Sequence, residues 1–433
     1  MKKKIIYVPL AIDILHSAHI NLLKKAKRFG YVLVGLLTDK AISEYKQLPL
    51  LNYNERYRIL EGVRYIDKIV EQDTWDYTNN IKKYKPDFFI HGDDWKSGIQ
   101  KKNRSKVINC LKKFNGKLIE IPFTKNISST EIKNKILRLK SYPDNRTSKL
   151  RRLLEAKKIV RIIESHNSLT GIMIENLFVK EKNKHIEFDA MWSSSLTDSA
   201  TKGKPDNQSV DYSSRISSLN YMLDVTTKPV IFDADNGGQI EHLSYLTRSL
   251  ERNGVSAIVI EDKIGLKKNS LFKNQTNAKQ DQPKNFSKKI KKICSSRRSK
   301  DFLVIARIES FILNKGLNDA LNRAEIYCKS GADCILIHSK EKSPKEIFLF
   351  SKSFNKQNYA VPLVAVPSTY SKTYEKELIK NGFRAVIYAN HLLRASYPAM
   401  EKVARNILKS GRSYDIEKKI IPINKIINLI KND

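Results

Sequence analysis

The sequence predicts an α/β protein of two domains: a doubly wound parallel sheet over residues 1–142, then a (β/α)8 barrel over 143–433 with a C-terminal helical tail. Three observations lead there. Short apolar runs alternate with amphipathic helical stretches along the chain, the pattern of parallel strands joined by crossover helices. A turn at Pro143-Asp144-Asn145 and a charged helical stretch, Ser148 to Lys158, interrupt that pattern. Beyond them eight apolar runs recur, the number an α/β barrel needs. The length, 433 residues, also exceeds what one core usually holds.

Composition narrows the function classes. A hydrophobic fraction of 41% suits a soluble globular chain, and no apolar run approaches the roughly 20 residues of a membrane helix. Met1-Lys2-Lys3-Lys4 ahead of Ile5 to Ile12 superficially resembles a signal peptide. Asp13 and His16 interrupt it and no small-residue cleavage site follows, so it reads as a first buried strand. Cys110, Cys294, Cys328 and Cys334 form no CxxC pair, which fits a reduced, cytoplasmic protein. The net charge of +35 is spread along the chain. Its densest run, Lys288-Lys289-Ile290-Lys291-Lys292 with Arg297-Arg298 beyond, lies on an expected surface helix. With Lys, Ile and Asn all abundant, this reads as coding bias rather than a nucleic-acid footprint. The positive potential favours anionic small molecules such as phosphates.

In the first domain Ile5 to Leu10, Tyr31 to Leu37, Asp87 to Ile90 and Lys117 to Ile121 read as strands, with helices at Ile20 to Phe29 and Tyr53 to Val63. The first strand-to-helix turn carries His16-Ser17-Ala18-His19. Histidines three apart share one helix face, and a helix N-terminus favours anions through its free N–H groups and dipole. Imidazoles there would hold a triphosphate as pyrophosphate leaves. The run Asp13-Ile14-Leu15-His16-Ser17-Ala18-His19 resembles the first signature of the HxGH nucleotidyltransferases, within them the cytidylyltransferases. Glu55-Arg56, Gly92-Asp93-Asp94-Trp95 and Ile127-Ser128-Ser129-Thr130-Glu131 fall where that family's later motifs would. The resemblance implies a Rossmann-like nucleotide-binding domain whose His16, His19, Asp94, Ser129 and Thr130 contact CTP. Ala18 and Leu10 depart from it, standing where glycines are usual, as does Phe123, where many members have an arginine.

The barrel strands are expected at Ile159 to Ile163, Phe188 to Trp192, Pro229 to Phe232, Ala257 to Ile260, Leu303 to Ala306, Cys334 to Ile337, Leu363 to Val366 and Ala385 to Tyr388. Their C-terminal ends, where α/β barrels place their chemistry, carry polar groups. Trp192-Ser193-Ser194-Ser195-Leu196 offers a turn of N–H donors after the second strand. Asp233 and Asp235 follow the third and Glu261 the fourth, and carboxylates beside loop glycines suit Mg²⁺, which prefers oxygen ligands. Arg307 ends the fifth, suited to a bidentate grip on carboxylate or phosphate, and His338 ends the sixth. Each alone has a structural reading, Asp233 as a loop cap or His338 as a satisfied core histidine. Their recurrence at successive strand ends argues for a site. Lys267 to Phe286, polar and without periodicity, reads as a structureless lid over it.

Glu261-Asp262-Lys263, then Lys267, Asn269 and Ser270, match the signature EDKxxxKxNS. On these residues and the strand-end groups, the region from about 150 to 410 resembles the phosphoenolpyruvate mutase/isocitrate lyase superfamily, in its mutase branch. Lyases of the superfamily carry a cysteine where Asn269 stands. The resemblance implies an enzyme interconverting phosphoenolpyruvate and phosphonopyruvate. It implies Mg²⁺ on Asp233, with Asp235 and Glu261 helping through waters. Trp192, Ser194, Ser195 and Leu196 would hold the pyruvyl carboxylate and enolate side, Arg307 and His338 would face the substrate anions, and Lys267, Asn269 and Ser270 would arrive with the lid. Asp206, fourteen residues after Trp192, falls at the position of the family's candidate nucleophile. Ser195 stands where the mutase pattern often has glycine.

Resemblance to fused mutase/cytidylyltransferase chains implies that the first domain makes a CMP-phosphonate from CTP at a later step of phosphonate biosynthesis. It also implies a homo-oligomer, in the superfamily commonly a tetramer that exchanges a helix between barrels, a part the stretch His391 to Leu408 would serve. No nucleic-acid partner or membrane span is expected. The competing readings are phosphonopyruvate hydrolase on the same barrel, a C–C lyase, disfavoured by the missing cysteine, and an RNA-binding protein, resting on charge alone.

Overall fold

β1 (Ile5–Leu10), β2 (Tyr31–Leu37), β3 (Lys68–Gln72), β4 (Phe88–Gly92) and β5 (Lys117–Ile121) form a parallel sheet in the order β3-β2-β1-β4-β5. They belong to a computed structural model that describes residues 3–96, 101–122, 143–181, 184–271, 278–357 and 359–429. Strand order reverses beside β1, and in such sheets ligands bind outside the carboxyl ends of the strands at that reversal. His16 follows β1, and Asp93 and Asp94 follow β4. One strand, β3, is not among those expected from sequence. It is an edge strand, Lys68-Ile69-Val70-Glu71-Gln72, with charge at two of five positions and only Val70 and Gln72 buried, so its apolar signal is weak. Tyr7 ties it in: its hydroxyl donates to Gln72 Oε1 at 2.7 Å across β2. The ring passes over Gly35, where a Cβ would meet the Tyr7 hydroxyl at 1.9 Å.

The later strands are β6 (Val160–Glu164), β7 (Phe178–Glu181), β8 (Lys184–Glu187), β9 (Ala190–Ser193), β10 (Val230–Asp233), β11 (Ala257–Glu261), β12 (Lys263–Ile264), β13 (Lys279–Gln280), β14 (Leu303–Ile308), β15 (Cys334–Ile337), β16 (Leu363–Ala365) and β17 (Phe383–Tyr388). Eight of them close a parallel barrel in the order β10-β11-β14-β15-β16-β17-β6-β9. These are the eight strands expected from sequence, with ends moved by two residues or fewer. Their fully buried apolar residues, such as Phe232, Ile258, Ile260 and Val304, pack in one cluster with the helices outside. The helix Pro283–Ser296 contributes Phe286, Ile290 and Ile293 at helical spacing. Burying each such side chain stabilises by about 1.5–3 kcal/mol.

That helix corrects the lid expectation. The stretch to Phe286 is not structureless: β12 and β13 pair antiparallel, and the helix starts at Pro283, a residue preorganised for a first turn. The expected lid thus leaves the barrel on a short ribbon at 263–264 and 279–280, and its residues 272–277 lie outside the described residues.

Two compact units divide the chain. One comprises Met1–Ser141, Arg152–Lys158 and Phe178–Glu187; the other comprises Tyr142–Arg151, Ile159–Leu177 and Phe188–Asp433. The antiparallel hairpin β7/β8 thus groups with the first unit although it follows β6 in sequence. A helix, His391–Ser410, follows β17 with none of its side chains buried. Among the described residues no helix is long and apolar enough to cross a membrane.

Candidate active site

Asp233 is the last residue of β10 and Glu261 the last of β11, so the parallel register carries both carboxylates to the same rim. Asp235 follows in a tight turn at φ 51°, its N–H donating to Asp233 Oδ1 at 3.2 Å. All three are 5% exposed or less. Arg215, from the helix Tyr212–Leu223, supports the Asp233 and Asp235 end of this group. Its guanidinium is fully buried against the Phe232 ring and donates to Asp198 Oδ2 at 2.9 Å, to the Asp233 carbonyl at 2.5 Å and to the Ser193 carbonyl at 3.3 Å. Ser195 Oγ donates to Asp233 Oδ2 at 2.9 Å.

Lys267, from the stretch expected to form a lid, places a cation within this acidic group. Lys267 Nζ lies 2.5 Å from Asp235 Oδ1, 3.1 Å from Asp206 Oδ1 and 3.8 Å from Asp233 Oδ2, and it bonds Ser195 Oγ. Asn269 Nδ2 donates to Asp206 Oδ2 at 2.8 Å, so two lid residues hold that carboxylate. Ser270 Oγ is a junction: Arg307 donates to it at 2.8 Å and Lys263 at 2.9 Å, while it donates to Glu309 Oε2 at 2.5 Å. Glu309 is wholly buried and also takes Arg307 Nε at 2.6 Å and the His338 ring at 3.2 Å.

Charge and burial compete throughout. Burial alone would raise the Asp233 carboxyl, but Lys267, Arg307 and Arg215 hold it at about 2. At Glu261 burial prevails and pushes the carboxyl up, against the pull of Arg307 and Lys263. The Lys267 ammonium is pushed above its ordinary value, burial being outweighed by Asp233, Asp235, Asp206 and Glu261. Burial, then Arg307, lower His338, favouring its neutral ring. This is a preorganised array of fixed charges around a small space, the arrangement that stabilises developing charge on a bound anion.

One cavity is lined by Trp192, Ser194, Ser195, Leu196, Asp206, Asp233, Lys267, Asn269, Ser270, Arg307 and His338. Every barrel residue given a role from sequence lines it except Asp235, which joins through Lys267, and Glu261, which Arg307 and Lys263 approach. Sequence reasoning missed Ser368 and Asn390 on the wall, and Arg215, Asp198 and Glu309 behind it; Lys263, quoted in the signature, was given no role of its own. Glu309 was within reach, two residues beyond Arg307 on the same strand end. Arg215 carried no signal, since a mid-helix arginine normally lies in solvent. Ser194 also caps the helix Ser195–Thr201, its hydroxyl accepting Thr197 N–H at 3.5 Å.

A hard cation fits the chemistry of this donor set. Both Glu261 carboxylate oxygens are buried without a hydrogen-bond partner, and their charge is met at longer range by Arg307 at 3.2 Å and Lys263 at 3.4 Å. As the side chains stand, no three His, Cys, Asp or Glu groups among the described residues converge to hold a metal ion. The Lys267 ammonium lies among the carboxylates instead.

In the first unit, His16 and His19 meet at the start of the helix Ser17–Lys27, with ring centroids 3.9 Å apart. Burial, then His16 and Lys46, push His19 down to about 3. Arg56 proves to be a buried post, donating to the Ala11 and Leu37 carbonyls at 2.8 and 2.9 Å and pairing with Asp39 at 2.7 Å. Glu55 completes the capping box of its helix with Asn52. Asp94 lies in the short turn Asp93–Lys96 after β4, its side chain not described, and Ser129 and Thr130 lie outside the described residues.

Carboxylates on adjacent strand ends of a parallel barrel, faced by the buried cations Lys267 and Arg307, mark the chain as an enzyme of the α/β-barrel class. Comparison with known proteins makes this specific. Residues 150–408 match the family model described as phosphoenolpyruvate phosphomutase, and residues 12–135 match one described as cytidylyltransferase-like. The chain is 33% identical to the phosphoenolpyruvate phosphomutase of Tetrahymena pyriformis over 66% of its own length and 92% of the relative's. A crystal structure of phosphonopyruvate hydrolase in complex with oxalate and Mg²⁺ superposes with a TM-score of 0.59 at 30% identity, covering 66% of this chain and 94% of that one. The N-terminal region is 32% identical to the glycerol-3-phosphate cytidylyltransferase of Bacillus subtilis, over 31% of this chain and 98% of the relative. The chain belongs to the phosphoenolpyruvate phosphomutase family, within the phosphoenolpyruvate mutase/isocitrate lyase superfamily, and carries an N-terminal cytidylyltransferase-like domain.

Proposed function

We propose that the barrel is a phosphoenolpyruvate mutase, interconverting phosphoenolpyruvate and phosphonopyruvate in phosphonate biosynthesis. The observation that carries this reading is the grip of Lys267 and Asn269 on Asp206 inside a cavity roofed by the lid. Starting from phosphonopyruvate, the C–P bond breaks and its electron pair stays on carbon as the pyruvate enolate. The phosphoryl group, held beside Asp206, then forms its new bond to the enolate oxygen. Trp192, Ser194, Ser195 and Leu196 bind the pyruvyl end, while Arg307 and neutral His338 face the anionic oxygens. A loose phosphoryl species needs positioning and charge neutralisation more than covalent help. It also needs water excluded, because a captured water would yield phosphate and pyruvate. Mg²⁺, held by Asp233 with Asp235 and Glu261, would supply Lewis-acid neutralisation of the enolate and carboxylate oxygens.

We further propose that the first domain, over about residues 1–142, activates a phosphonate with CTP. His16 and His19, neutral at physiological pH, would donate to phosphate oxygens at the helix N-terminus. A homo-oligomer in which the helix His391–Ser410 finds its partner on another copy would cover a helix that has no buried residue in this chain.

A second reading, phosphonopyruvate hydrolase, rests on the near-equal identities, 33% to the mutase of Tetrahymena pyriformis and 32% to a phosphonopyruvate hydrolase of Variovorax. One experiment separates them. The protein is incubated with phosphonopyruvate and Mg²⁺ and followed by phosphorus NMR, with Asp206→Ala as control. Phosphoenolpyruvate as product, lost in the variant, supports the mutase; free phosphate and pyruvate would establish the hydrolase.

A further inference from the structure

Asn236 stands one residue beyond Asp235, and its side chain is not among those lining the cavity. Its amide joins three loops. Oδ1 accepts Gln208 Nε2 at 3.1 Å and the Gly238 N–H at 3.0 Å, and Nδ2 donates to the Gly265 carbonyl at 3.0 Å. Its own carbonyl accepts Lys289 Nζ at 2.7 Å, from the helix that follows the lid. Gln208 lies two residues past Asp206, and Gly265 two residues before Lys267. Both adopt left-handed backbone, at φ 69° and 80°, so each loop turns sharply beside its contact with this amide. The aspartate loop, the Asp206 loop, the root of the lid and the helix beyond the lid therefore meet at one residue.

We propose that Asn236 is the positioning residue that seats the lid. The amide holds Gly265 and Gln208 at a fixed separation, which brings Lys267 and Asn269 into register with Asp206. An amide suits this place because the contact needs an acceptor toward Gln208 and a donor toward Gly265 at once. Aspartate keeps the shape and the acceptor but turns an oxygen toward the Gly265 carbonyl. The catalytic part of the inference rests on the mutase reading; the structural part does not.

The test uses the full-length protein with Asn236→Asp and Asn236→Ala, read by hydrogen exchange and by kinetics. Lost hydrogen bonds of ordinary strength are expected to speed exchange of amides 265–271 by about five- to tenfold, most in Asn236→Asp, with β11 amides unchanged. With phosphonopyruvate as substrate, kcat falls by about tenfold while KM stays within about threefold, because the proposed pyruvyl contacts on and just after β9 remain and only the lid residues arrive misplaced. Gln208→Ala should free the loop around Asp206 and leave lid exchange as in the parent. Should Asn236→Asp fail to fold, Asn236→Ser supplies the same comparison. Unchanged lid exchange in a folded variant overturns the proposal, as does a rise in KM with kcat intact. If the parent protein turns over no phosphonopyruvate, the mutase reading fails while the exchange measurement still decides the seating of the lid.

Discussion

Lys267 Nζ lies 2.5 Å from Asp235 Oδ1, so the lid's lysine acts as a resident counter-ion for the carboxylates at the barrel rim. Removing one partner of such a buried group leaves the others uncompensated, at a cost of about 3–5 kcal/mol. Lys267→Met should therefore destabilise the protein strongly in EDTA, and millimolar Mg²⁺ should restore most of the loss by neutralising the same oxygens. Urea midpoints in the two media check this. An equal loss in both would mean that no cation takes the lysine's place.

On the mutase reading, Asn269 would keep isomerisation from leaking into hydrolysis. Its Nδ2 holds Asp206 Oδ2 at 2.8 Å, and Asn269→Ala opens room for water beside the phosphoryl path. Phosphorus NMR of the variant should show a larger fraction of phosphate and pyruvate than the parent gives. A partition identical to the parent's would remove Asn269 from that role.

Glu164 fastens the C-terminal helix to the barrel. It ends β6 fully buried, pairs with His166, and its Oε2 accepts the Leu392 and Leu393 N–H groups at 2.9 and 3.2 Å, capping the helix His391–Ser410. Neutralising it with Glu164→Gln should cost about 1–2 kcal/mol, the range for a lost cap and helix-dipole partner. Hydrogen exchange at 392 and 393 would rise, and Asn390, which lines the cavity just ahead of this helix, would lose its anchor. Unchanged exchange there would show that packing alone holds the helix.

A pH test lies in the first unit. Glu120 accepts from Arg104 at 2.8 and 3.1 Å and from Trp95 Nε1 at 2.7 Å. The Arg104 hydrogen bond, opposed by burial and helped by Trp95, lowers its carboxyl from 4.5 to about 2. A lowered acid stabilises the fold above its unfolded pKa and loses that contribution as pH falls through the folded one. The stability gap between the parent and Glu120→Gln should thus be full above about pH 4.5 and close toward pH 2. Unfolding midpoints across that window measure it, and a gap independent of pH would contradict the assignment.

Much of this was legible in the chain. The barrel strands announced themselves because strands buried on both faces must be continuously apolar, as in Val230-Ile231-Phe232 and Cys334-Ile335-Leu336-Ile337. The edge strand β3 did not, since half-burial leaves no such run. The lid was over-extended because polar residues from Gln280 to Lys284 hide both a short ribbon and a helix start.

Local sequence by itself determined which residues stand at strand ends and which signature they spell, because side-chain direction alternates along a strand and loops follow at fixed places. Only the tertiary structure decided what those residues touch. Lys267 reaches Asp206, sixty-one residues earlier, and Arg215 reaches Asp233 and Asp198 from a helix whose own pattern says nothing of them. Such pairings arise from closure of the barrel, which brings distant loops to one rim. A buried charge there is tolerated only where another chain segment supplies its partner, and that partner is chosen by the geometry of closure rather than by neighbours in sequence.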